Sequence, residues 1–81
     1  MYWLVIYLDF CNNPSAFVSD NKHKNALMRL QEVIEAGRLE EYSPEEINDI
    51  RLVVETLKDL PQTAWTDEEY AYVQKMHILI A

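Results

Sequence analysis

The sequence predicts an all-α fold, a small bundle of three to four helices, over a single domain spanning residues 1–81. Three observations point there. One glycine and three prolines are few for a β-protein assembled from tight turns. The stretches "YSPEEI" at 42–47 and "WTDEEY" at 65–70 each place a hydroxyl residue three positions before a glutamate. That spacing makes a capping box, and the large apolar residues on either side make a hydrophobic staple. Finally, apolar residues recur at three- and four-residue spacing over most of the chain. With 49% of residues apolar and nine of them aromatic, folding is favoured over disorder.

The elements follow in chain order. The segment "YWLVIYLDF", residues 2–10, reads two ways. Its β-branched and aromatic content suits a strand, which gives an α+β alternative with residues 2–10 paired to 15–19 or to the C-terminal tail. As a helix it is apolar on every side except at Asp9, and so has to be buried centrally or against another chain. Weak candidate partner strands tilt the balance to helix, with Asn13-Pro14 starting a further short helical turn. The next helix runs from about Asn21 to Ala36, burying Ala26, Leu27, Leu30, Val33 and Ile34, and Gly37 supplies its left-handed end. Ser43 caps a helix that reaches about Leu60 and is stopped by Pro61. Its apolar stripe is Ile47, Ile50, Val53, Val54, Leu57 and Leu60. The last helix starts at Asp67 and carries Tyr70, Val73, Met76, His77 and Ile80 on one side.

The net charge of −7 is unevenly distributed. Residues 1–38 hold four acids and four bases, whereas residues 39–81 hold ten acids against three bases. Such a field repels nucleic acid and membranes and attracts basic surfaces. The single Cys11 forms no internal disulfide, and the apolar run Met1–Leu8 is far short of the ~20 residues that cross a bilayer. The expected setting is cytoplasmic.

No metal, cofactor or catalytic site is expected. Adjacent carboxylates such as Glu45-Glu46 and Glu68-Glu69 point about 100° apart on a helix and chelate poorly, and one of each pair is committed to capping. Cys11, His23 and His77 have no zinc-ligand spacing, and one glycine rules out a phosphate-binding glycine loop. The protein is expected not to be an enzyme.

A different feature suggests a binding surface. Steps of about 100° per residue place Leu52 nearly opposite the apolar stripe of its helix. Glu45, Asp49, Glu55 and Asp59 surround it. Glu45 with Asp49, and Glu55 with Asp59, are like-charge pairs at four-residue spacing, which destabilise an isolated helix by a few tenths of a kcal/mol each. Carboxylates one turn apart repeat about every 6 Å, a spacing that can imitate a phosphate track.

The expected function is therefore a small acidic protein-binding module. Glu45, Asp49, Leu52, Glu55 and Asp59 are its partner-binding residues. The expected partner is a protein with a basic, nucleic-acid-binding surface, which the module inhibits by occupying it. In size and charge the chain is similar to the small acidic nucleic-acid mimics that phages encode, a likeness of composition only. The alternative is a structural or regulatory subunit that forms homo-oligomers through its apolar N-terminal segment.

Overall fold

Residues 3–11 form a helix, and with that the strand reading of residues 2–10 is set aside. The computed structural model describes residues 3–80; Met1, Tyr2 and Ala81 lie outside the described residues. Five α-helices follow one another: α1 (Trp3–Cys11), α2 (Pro14–Ser19), α3 (Lys22–Glu35), α4 (Pro44–Asp59) and α5 (Asp67–Ile80). Single 3-10 turns at Arg38–Glu41 and Gln62–Ala64 connect the last three. The short α2, begun by Pro14 at its first position, adds one helix to the expected three or four. Among the described residues no strand forms, so neither residues 15–19 nor the C-terminal tail offers α1 an edge.

The core gathers one apolar stripe from each helix. Leu4, Phe17, Ala26, Leu27, Leu30, Ile50, Val53, Val54, Leu57, Val73 and Met76 are all buried within it. Phe17 is its aromatic centre, stacked on Phe10 at 5.0 Å and on Tyr7 at 6.2 Å between ring centroids. α4 lies between α1 and α5 and packs against both. Trp3 donates its indole Nε1–H to Tyr42 Oη at 3.3 Å, while Cys11 Sγ lies 3.9 Å from Leu52 O. These two ties, one at each end of α1, mean that α1 runs parallel to α4. At the far side of α4, Arg51 Nε donates to Ile80 O at 2.9 Å and holds the end of α5 against it.

The helix ends follow their local chemistry. Both capping boxes form. Ser43 N donates to Glu46 Oε1 at 2.9 Å and Glu46 N to Ser43 Oγ at 3.2 Å. Thr66 N donates to Glu69 Oε1 at 2.8 Å and Glu69 N to Thr66 Oγ1 at 3.2 Å. Leu60, just before Pro61, is extended (φ −66°, ψ 152°), as the proline ring demands of its predecessor. Gly37 takes the left-handed conformation (φ 68°) expected after α3. Asn21 is also left-handed (φ 55°), a conformation that asparagine tolerates better than most residues, and it stands outside α3 as its cap.

The second box is electrostatically tuned. The Thr66 backbone N–H, aided by the Thr66 hydroxyl and Lys24, holds the Glu69 carboxyl below its usual range. A depressed carboxyl contributes stability that is present above its unfolded pKa and is lost as pH falls through the folded value. Glu69→Gln is therefore expected to lower stability at neutral pH. Its deficit against the parent should close on acidification; thermal melts between neutral pH and the carboxylate range check both halves.

Candidate functional site

The capping box of Ser43 and Glu46 fixes where α4 begins, and Pro61 fixes where it ends, so every later side chain on it has a set azimuth. Ile50, Val53, Val54 and Leu57 turn into the core. Leu52 turns away and is 47% exposed. Glu45, Glu55 and Asp59 are exposed beside it, and Asp49 is half-buried. The helix thus brings all five residues to its outward side, with Asp49 deepest. Among the described residues none of these four carboxylates has a cation within 4 Å. Arg51 and Lys58 are the bases of α4, and Arg51 is engaged with Ile80 O and, at 3.1 Å, with Asn48 Oδ1.

The surroundings of this face were not expected. α1 is not central: of its residues only Leu4 is fully buried, while Val5 and Ile6 are 47% and 45% exposed. The outward side of α4 is therefore flanked along one edge by a helix that itself displays apolar side chains. Thr56 Oγ1 donates to Leu52 O at 2.9 Å, and the Cys11 thiol approaches the same carbonyl. On the other edge Glu55 borders a hollow of about 20 Å³ with Arg51, Val54, His77 and Ile80, enough for about one water. The acidic face with Leu52 thus lies on α4 beside α1, whose Val5 and Ile6 are exposed in their own right.

Cys11 and the histidines have structural places. Burial pushes the Cys11 thiol up, and a hydrogen bond with Thr56 only partly offsets it, so it lacks the thiolate character of a nucleophile. His77 is half-buried on α5. His23 is 3% exposed, with Nε2 2.9 Å from Ala64 O and Nδ1 3.3 Å from Phe17 O, its ring edge-on to Trp65 at 4.9 Å. Sequence reasoning missed this clasp, although His23 precedes Ala26, Leu27 and Leu30 by three, four and seven residues and shares their stripe. Among the described residues no three His, Cys, Asp or Glu side chains converge as a metal site, and no helix is long and apolar enough to cross a membrane.

No protein-family model, curated protein or solved structure matches this chain.

Proposed function

We propose that this protein is a small acidic protein-binding module that docks the outward side of α4 onto a basic surface of a partner protein. The partner surface is of the kind that binds nucleic acid, and occupation of it is inhibitory. One observation carries the reading: four carboxylates, with no cation within 4 Å among the described residues, surround a half-exposed leucine on one helix. Like charges held at four-residue spacing weaken a helix. A basic partner relieves that repulsion, and Leu52 supplies apolar contact at the centre, where interface energy concentrates.

The test uses tagged protein, the double variant Asp49→Lys with Leu52→Arg, and the control Glu35→Lys on α3. Parent and control are expected to retain the same basic protein from a host extract, to lose it to competing nucleic acid, and to release it as salt is raised. Raising salt from about 0.1 to about 1 M shortens the Debye length from ~10 to ~3 Å. The double variant is expected to retain none of it. A partner held equally by the double variant sinks the proposal.

The exposed Val5 and Ile6 support a second reading, in which α1 joins copies of this chain and the acids serve solubility. Light scattering over a range of concentrations separates the two, since a strictly monomeric protein eliminates assembly through α1.

A further inference from the structure

Away from the α4 face, a cavity of about 290 Å³ opens where the first turn of α1 meets the end of α3 and the 3-10 turn that follows it. Its walls are Trp3, Arg29, Val33, Arg38 and Tyr42, with Glu32 and Ala36 completing the lining. Two of the chain's three arginines are gathered here, in a protein whose net charge is −7. The Arg29 guanidinium carbon lies 5.6 Å from the centre of the Trp3 ring, in cation–π range. The Trp3 indole in turn donates to Tyr42 Oη at 3.3 Å, so the phenol oxygen is already an acceptor and its proton is left to donate. Among the described residues that proton meets no acceptor.

We infer that this cavity is a binding site for a small aromatic monocarboxylate. The lining carries three kinds of donor: the fork of Arg29, the terminal nitrogens of Arg38 and the Tyr42 hydroxyl. Planar guanidinium groups match a carboxylate with paired N–H donors. Arg38 reaches Glu41 through Nε at 2.8 Å, which leaves its two terminal nitrogens for a ligand. Glu32 stands 4.0 Å from Arg29, a loose pairing that a ligand carboxylate improves upon. That same acid, with Glu41, brings the local charge near neutrality and selects a monoanion over a phosphate dianion. The Trp3 ring, with Arg29 over one face, and Val33 give the lining its apolar part. Pockets for drug-sized ligands measure roughly 300–1,000 Å³, and a cavity of about 290 Å³, just under that range, suits a ligand of one or two fused rings with a single acid group.

The chain's two tryptophans make the test internal, since Trp3 is in the cavity and Trp65 is buried with its Nε1–H unpartnered elsewhere in the core. Nitrogen-15-labelled protein is titrated with 2-naphthoate while both indole N–H signals are followed. The Trp3 signal is expected to move saturably and the Trp65 signal to stay. Arg29→Gln and Arg38→Gln remove exposed side chains, so both variants fold, which circular dichroism verifies. Each is expected to weaken 2-naphthoate about tenfold, the effect of losing one charge-assisted hydrogen bond. 2-Naphthalenemethanol and inorganic phosphate, at the same concentrations, are expected to leave the Trp3 signal unmoved. The inference is overturned by a Trp3 signal that does not respond, by unchanged affinity in both arginine variants, or by equal binding of the alcohol or of phosphate.

Discussion

Phe17→Ala is expected to leave the chain largely unfolded at room temperature. The ring is fully buried and sits at the junction of α1, α2 and the core, stacked on both Phe10 and Tyr7. Truncating a buried phenylalanine to alanine costs about 3–5 kcal/mol through lost transfer energy and the cavity left behind. A domain of 81 residues has a total stability of only about 4–12 kcal/mol at the usual ~0.05–0.15 kcal/mol per residue. Small domains bury a smaller share of their surface and lie toward the lower end. The loss also reaches α1, whose inward side packs on Phe17 through Tyr7 and Phe10. Urea titration followed by circular dichroism measures it, with Phe17→Leu as the milder comparison. A melt within about 1 kcal/mol of the parent would show that the site collapses readily and that the ring is not the centre assigned to it.

His23→Phe is expected to cost about 1–3 kcal/mol, although it keeps an aromatic ring against Trp65. Of the two carbonyls that face the ring, Ala64 O is the closer, 2.9 Å from Nε2, and as an acceptor it takes the N–H of that nitrogen. Phenylalanine leaves that half-buried carbonyl without its donor, and an acceptor shielded from water and left without a partner costs more than the bond it lost. Ala64 closes the 3-10 turn between α4 and α5, so loosening it frees the approach to the Thr66 capping box. The urea midpoint should fall with the slope unchanged, as expected when stability alone changes. Equal stability of His23→Phe and the parent would reduce the clasp to ring packing.

How far this molecule was legible before folding differs from element to element. The caps of α4 and α5 were legible to the residue, because a capping box is satisfied within four positions and needs no tertiary partner. The inward residues of α3, α4 and α5 were legible for a similar reason, since a period of 3.6 fixes faces once the ends are known. α1 was only half legible. Its apolar content suits either backbone state, and what decided it was the absence of an edge to pair with, which is a property of the whole chain. His23 sits on a legible stripe, but its two acceptors come from α2 and the second 3-10 turn, which only the fold brings together.

The outward side of α4 divides in the same way. That Leu52 points away from Ile50 and Val54 follows from helix geometry. That α1 packs beside it, and that Asp49 is the most covered of the four acids, follows from the tertiary fold. The arginine and tyrosine cavity was not legible at all. Trp3, Arg29 and Tyr42 are far apart in sequence, and neither spacing nor charge count joins them.

The parallel placement of α1 on α4 has a consequence in time. The two ties that define it join residues 39 and 41 positions apart, so α1, which meets Phe17 of α2 early, has no α4 to dock on until the whole of α2, α3 and much of α4 exists. At about 5–20 residues per second of synthesis, the intervening stretch takes about 2–8 s to appear. Throughout that interval Leu4, Leu8 and their neighbours have no α4 to cover them, and long-range contacts of this kind are also the slow ones to form. The earliest made of the five described helices is thus among the last to be sheltered by α4, and the nascent chain is most prone to aggregate before its acidic half has been made.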